Sequence, residues 1–254
     1  MNSSCNIQNE GIANKLPHEQ NHLDALVRMG ALESYYNWTL ALIESHLGRR
    51  VLDAGCGIGN FTALLEDRCD LVLAVDLSPR NMTVLRERFA DSKTVEVLQV
   101  DLDQNITTVA DRGLDTVVCL DVLEHVEEDV ALMKRFHEAV QPGGHLLVKV
   151  PACKWLYGSV DEASDHYRRY SLRELQEKSE QAGWGVVRIQ YMNIFGVLPY
   201  WLKSRVLRKT AVFSRTFKPW QLALIHRLIP TLRLLDRLVG PPIGQSLILI
   251  AVKR

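Results

Sequence analysis

The chain has 254 residues, 47% of them hydrophobic, with 30 basic and 30 acidic side chains, so its overall charge points to no particular partner. That length holds one substantial core. Five cysteines (Cys5, Cys56, Cys69, Cys119 and Cys153) form no C-x-x-C pair and no Cys/His cluster, which argues against a disulfide framework or a structural zinc; no metal is expected.

Residues 1–20 are polar, lack the apolar segment of a secretory signal and are read as a loose tail. No uncharged apolar run reaches the roughly 18–20 residues of a spanning helix, so a cytoplasmic protein is expected. Residues 21–46 have helical character and carry the aromatic group Tyr35, Tyr36 and Trp38. Beyond them, short apolar runs alternate with amphipathic stretches, the pattern of a parallel sheet covered by helices. Strands are predicted at 49–53, 71–76, 95–100, 115–120, 145–150, 186–191 and 246–252. Several are near-continuous apolar runs ("LVLAVD", "HLLVKV") suited to burial on both faces. Ser78 followed by Pro79 opens a helix over 79–90. A helix at 126–140 would place Val126, Val130, Met133, His137 and Val140 on one face, and "QPGG" (141–144) ends it. Ser171 and Glu174 form a capping box for a helix that stops before Gly183. The connection 192–245 is long for neighbouring strands. It is predicted to be a helical insertion in a domain made of 21–191 and 246–254.

The turn after the first strand, "VLDAGCGIGN" (51–60), places Asp53 before Gly55, Gly57 and Gly59. Ligands of open parallel sheets sit beyond the carboxyl ends of the strands, and glycines let them approach the backbone. The next strand ends in Asp76, suited to accept the ribose hydroxyls of an adenosine-type cofactor. A dinucleotide calls for G-x-G-x-x-G under its pyrophosphate; here Asn60 stands where that pattern has its third glycine. Asp53 is a poor neighbour for a pyrophosphate and a good one for an ammonium and a sulfonium. These residues favour S-adenosylmethionine over a nicotinamide dinucleotide, with which an oxidoreductase would remain the alternative.

The motifs, taken in order, resemble those of class I S-adenosylmethionine-dependent methyltransferases over roughly 45–192 and the final strand. "VLDAGCGIGNFT" is similar to that family's first glycine motif. "LAVDLSPRNM" resembles its second, which implies Asp76 on the ribose and Leu77 beside the adenine. "LQVDLDQ" implies Asp101 at the adenine amine and Leu102 on the ring, and "LDTVVCLDVLEHVEED" implies Leu120 and Asp121 flanking the cofactor. "LEHV" (123–126) with "DHYRRYSLRELQEKSEQAGW" (165–184) looks most like the branch acting on small molecules, quinone precursors and lipid-like acceptors. The fold this implies is a Rossmann-like seven-stranded sheet with an antiparallel last strand.

Methyl transfer from a sulfonium needs alignment, and needs a base only where the acceptor must lose a proton. His166, in the loop after the fifth strand, is one candidate base, with Asp161 and Asp165 nearby to orient it; His125 is the other. Tyr157, Tyr167 and Tyr170 could line an acceptor pocket. Arg168 and Arg169, with Lys203, Arg205, Arg208 and Lys209, could bind an acidic group on the acceptor. A candidate base favours oxygen as the methylated atom. A non-catalytic cofactor-binding protein is the remaining alternative.

Residues 203–254 hold eleven of the Lys/Arg side chains and only one acidic residue. In this segment Leu228, Leu232, Leu235 and Val239 make a helical stripe. The expectation is either a lid whose leucines pack on the sheet or peripheral contact of 197–238 with the anionic inner face of a membrane. A leucine-rich basic region with no nucleic-acid motif excludes nucleic acid as the expected partner.

Overall fold

A computed structural model describes residues 23–102, 104–208 and 219–254. The N-terminal tail and Lys209 lie outside the described residues. The seven strands are β1 (Arg50–Ala54), β2 (Leu71–Asp76), β3 (Val95–Gln99), β4 (Leu114–Leu120), β5 (Val140–Pro151), β6 (Trp184–Met192) and β7 (Ser246–Lys253). They form one sheet in the order β3-β2-β1-β4-β5-β7-β6. β7 runs antiparallel to both its neighbours, and the remaining pairings are parallel. The helices are α1 (23–30), α2 (Glu33–Ile43), α3 (Thr62–Glu66), α4 (Pro79–Arg88) and α5 (Thr107–Ala110), then α6 (Asp129–Ala139), α7 (Ser159–Glu162), α8 (Leu172–Gln181), α9 (Val197–Trp201) and α10 (Pro219–Val239).

The apolar runs are strands because both of their faces are covered. Leu52, Leu73, Val117, Val148 and Leu249 point to one side, against Met133 and Phe136 of α6 and Leu175 of α8. Their neighbours Val51, Val72, Val118, Leu147 and Ile250 point to the other, against Trp38 and Ile43 of α2, Leu65 of α3, Leu85 of α4 and Ile229 of α10. Fully burying one such side chain contributes roughly 1.5–3 kcal/mol.

Ser78 caps α4, and Ser171 with Glu174 closes the capping box of α8, as the sequence predicts. Three local expectations need correction. The helical stretch 21–46 is broken after Gly30 into α1 and α2. Helix α6 begins only at Asp129 and buries Leu132, Met133 and Phe136, so its packed face is rotated from the one expected. β5 starts at Val140 rather than 145, because "QPGG" continues into the strand instead of separating it from the helix.

This topology puts one edge of the sheet in charge of chemistry. The residues following β1 to β5 all emerge at that edge. The β6–β7 connection leaves and returns there too, since Met192 and Pro151 both pair with Ser246.

Candidate active site

Beyond β1 the chain passes through Gly55, Gly57 and Gly59 at φ of 69°, 62° and 78°, the left-handed region that side chains other than glycine resist. The turn is also tightly packed. A Cβ on Gly55 would lie 2.5 Å from Val122 Cγ2, and one on Gly57 would lie 3.1 Å from Leu26 Cδ1 of α1. Asn60, which replaces the third glycine of the dinucleotide pattern, donates to the Leu26 carbonyl at 2.9 Å and so ties α1 across the turn.

Asp76 is oriented by the protein itself. Its Oδ2 accepts from the Gly57 N–H at 2.8 Å, and its Oδ1 accepts from the Ser78 N–H at 2.9 Å and the Asn81 side chain at 3.0 Å. Leu77 beside it is 62% exposed, an apolar surface offered at the sheet edge. Asp101 and Leu102 follow β3, while Leu120 ends β4 and Asp121 follows it. The cofactor-binding candidates are thus gathered along consecutive strand ends. Asp121 forms an ion pair with the buried Lys149 of β5, whose ammonium lies 5.2 Å from the centre of the Tyr35 ring. The carboxylate raises the pKa of Lys149 against the opposing effect of burial, so the lysine stays charged.

Asp53 is buried, and the hydrogen bond it accepts comes from the Thr62 hydroxyl at 2.6 Å, inside the protein rather than outward. Burial pushes its carboxyl up from 3.8 to about 7. The native state therefore keeps a proton that the unfolded chain releases, and this group makes the protein less stable as pH rises through that window. A bound cation nearby would favour the ionised form. Affinity for S-adenosylmethionine should rise between pH 6 and 8 by up to about tenfold per unit below the shifted value. Asp53→Asn should flatten that dependence in a calorimetric titration. An equal slope in both proteins would remove Asp53 from the cofactor's surroundings.

The two candidate histidines come together. The rings of His125 and His166 meet edge to face, with centroids 4.7 Å apart. Asp161 Oδ1 lies 3.0 Å from His166 Nδ1 and accepts from Arg169 Nε at 2.8 Å, while its Oδ2 accepts from the Gly158 N–H at 3.0 Å. Burial alone would raise the Asp161 pKa, but the His166 hydrogen bond and the Arg169 charge hold it below its usual value. An ionised carboxylate only accepts, so Nδ1 carries a proton, and in the neutral ring this tautomer leaves the lone pair on Nε2. The Arg169 guanidinium is sandwiched between this carboxylate and the ring of Tyr200, whose centroid is 4.1 Å away.

Glu124, beside this pair, is 1% exposed, and its Oε2 has no hydrogen-bond partner among the described residues. Burial first, and the nearby Asp121 charge second, raise its pKa well above the ordinary carboxyl range, which favours the protonated form. One donor atom from each of Glu124, His125 and His166 lies within 4.8 Å of the others, close enough to converge on a proton or a cation.

The acceptor-side candidates divide. Tyr157 donates its hydroxyl to the His166 carbonyl at 2.8 Å, and Tyr167 is 56% exposed with Arg168 against its ring. Tyr170 is not at a pocket wall: it is fully buried and donates to Asp129 Oδ2 at 2.7 Å. The expected cluster of basic side chains is not assembled for an anion either. Arg168 is paired with Asp129 at 3.0 Å, Arg169 with Asp161, and Arg205 donates to the Tyr157 carbonyl at 3.0 Å. Sequence reasoning missed Lys149 and Tyr200. Lys149 left a signal, a charge inside the apolar run "HLLVKV" that burial obliges to find a partner.

A seven-stranded sheet of this order, with a glycine turn after β1 and an acid closing β2, defines the class I S-adenosylmethionine-dependent methyltransferase fold. Residues 32–189 match the family model described as "Methyltransferase domain", and the chain belongs to that family. It is 33% identical over 138 residues to a ubiquinone biosynthesis O-methyltransferase of Idiomarina loihiensis, covering 50% of this chain and 54% of that one. A ubiquinone biosynthesis O-methyltransferase of Xanthomonas campestris is 25% identical over 65% of this chain and 73% of its own. The chain thus spans about half the length of the first relative and about three quarters of the second. Among solved structures, a SAM-dependent methyltransferase from Archaeoglobus fulgidus shares the fold at a TM-score of 0.55 and 21% identity, over 84% of this chain and 91% of that one. The protein is a methyltransferase, and its cofactor is S-adenosylmethionine.

Proposed function

We propose that the protein methylates an oxygen atom of a small-molecule or lipid-like acceptor, with His166 as the base that takes the acceptor's proton. The observation that carries this reading is the Asp161–His166 pair, which fixes the ring tautomer with Nε2 free to accept. S-adenosylmethionine supplies an already activated methyl group, so the protein's part is to align the acceptor and remove its proton. Asp76 and Leu77, Asp101 and Leu102, and Leu120 and Asp121 would hold the adenosine. Tyr157 and Tyr167 flank His166 on the acceptor side. The two relatives bearing O-methyltransferase names support oxygen as the acceptor atom.

A second reading is favoured by the convergence of Glu124, His125 and His166, a donor set that suits a divalent cation able to bind and acidify an acceptor hydroxyl. One assay separates the two. Labelled S-adenosylmethionine is offered with a panel of phenols, catechol-type quinone precursors and amines, with and without a chelator. Methyl ether formed equally in both conditions supports His166 acting alone. Loss on chelation, restored by added cation, supports the metal. Methylated amines and no ether would overturn the oxygen assignment, and tight S-adenosylhomocysteine binding with no product from any acceptor would favour a non-catalytic role.

A further inference from the structure

Helix α10 is apolar on two sides. Its inner side carries Leu222, Ile225, Ile229 and Leu232, with Leu222 and Ile229 buried and Ile229 in the core beneath α2. The seat is fixed by polar contacts as well. The Ser34 hydroxyl of α2 lies 3.0 Å from His226 Nδ1, and the buried Asp236 accepts from the backbone N–H groups of Asn193 and Ile194, both at 3.0 Å. The opposite side is exposed: Trp220 (62%), Leu224 (49%), Leu228 (46%), Leu234 (56%), Leu235 (40%) and Leu238 (72%). At about 100° per residue these six span one broad outward arc with Arg227 inside it, while Arg233 and Arg237 lie on the flank beyond one border, on the side of His226. The expected lid stripe is therefore mostly turned outward; of its members only Leu232 is half-buried.

We propose that this outer face of α10 is a docking surface for an anionic lipid bilayer, on which the helix lies flat. No helix among the described residues is long and apolar enough to cross a membrane, so contact along the interface is what the pattern allows. Charge selects the partner. The segment 203–254 has a net charge of +10 against −10 for the remainder, and Arg227 stands within the leucine face itself. A symmetric pairing of two such faces would set arginines against arginines, which disfavours a second copy as the occupant. The exposed Trp220, at the start of the helix, is the side chain type that settles at headgroup level. Leu198, Trp201, Leu202, Val206 and Leu207, at the other end of the β6–β7 connection, are exposed as well and add apolar surface from the same segment.

The test is co-sedimentation of the full chain with phosphatidylglycerol vesicles and with phosphatidylcholine vesicles, at low and high salt. Binding to the anionic vesicles should be about tenfold or more tighter at low salt, each basic side chain near the surface being worth about 1 kcal/mol. Leu228→Asp with Leu235→Asp should weaken it at least about tenfold. Arg233→Glu with Arg237→Glu should weaken binding to the anionic vesicles selectively. All four substitutions are on exposed positions, and unchanged S-adenosylhomocysteine affinity would verify folding. No binding at low salt, or binding indifferent to both double variants, would overturn the proposal. So would a concentration-dependent dimer abolished by the leucine variant, which would assign the face to a second copy. Vesicle binding is read without methyl transfer, so its failure and that of the proposed reaction are distinguishable.

Discussion

His166→Gln should lower kcat by about 10²–10⁴-fold, the usual contribution of a positioned acid or base. Affinity for S-adenosylhomocysteine should stay within about twofold, because no hydrogen bond links His166 to the glycine turn or to Asp76. Glutamine preserves a donor for Asp161, so the loop should keep its shape and the loss should fall on proton removal. Partial recovery with added imidazole would complete the case. An unchanged kcat would instead mean that the acceptor arrives already ionised or that His125, whose ring touches that of His166, takes the proton. The corresponding His125→Gln variant distinguishes these two outcomes.

Asp161→Ala should destabilise the protein by about 3–5 kcal/mol, the cost of leaving a buried charge without its partner. Asp161 is fully buried and Arg169 is 3% exposed, so water cannot replace the lost carboxylate. The guanidinium would keep the Ala152 carbonyl at 2.9 Å and the Tyr200 ring, neither of which neutralises it. The Gly158 N–H would lose its acceptor at the start of α7. Urea denaturation monitored by tryptophan fluorescence measures the effect. Because the Asp161 pKa is depressed, its contribution is present at neutral pH and is lost as pH falls below the ordinary carboxylate value. The gap between wild type and variant should therefore close in acid. Asp161→Asn separates structure from chemistry: it can still accept from Arg169, but a neutral amide no longer holds the His166 tautomer, so kcat should fall more than stability does. A stability loss below about 1 kcal/mol in Asp161→Ala would show that Arg169 relaxes to solvent.

Local rules made much of this fold legible. The strand ends at Asp76 and Leu120, the cap at Ser78 and the box at Ser171 and Glu174 all follow from short-range chemistry, and the structure has them at those positions. Local rules failed where the partner is distant in sequence. Tyr170 reads as a pocket tyrosine until Asp129, 41 residues earlier, claims its hydroxyl. Arg169 reads as a ligand for an acidic group on the acceptor until Asp161 and Tyr200 enclose it. For α10, hydrophobic spacing alone could not say which of its two leucine faces meets the sheet. That choice is made by Trp38, Met192 and Ile248, which line the cluster receiving Ile229. Glu124 stands beside His125 in the sequence, but its raised pKa depends on burial and on Asp121, neither of which has a sequence signature.

The ends of the β6–β7 connection are stitched together. Asn193 Nδ2 donates to Gln245 Oε1 at 2.9 Å, and the Gln245 N–H donates to the Asn193 carbonyl at 3.1 Å. The Gln245 carbonyl accepts from the Ala152 N–H at 2.9 Å, while a Cβ on Gly244 would collide with the Met192 carbonyl. A chain segment buttoned at its base is free to vary in length above the button, since doubling a flexible loop costs only about 0.6 kcal/mol in closure entropy. The sheet can thus carry interchangeable segments at this position while the cofactor strands stay fixed. The docking surface proposed for α10 can then be exchanged as a cassette, independently of the methyl-donating machinery.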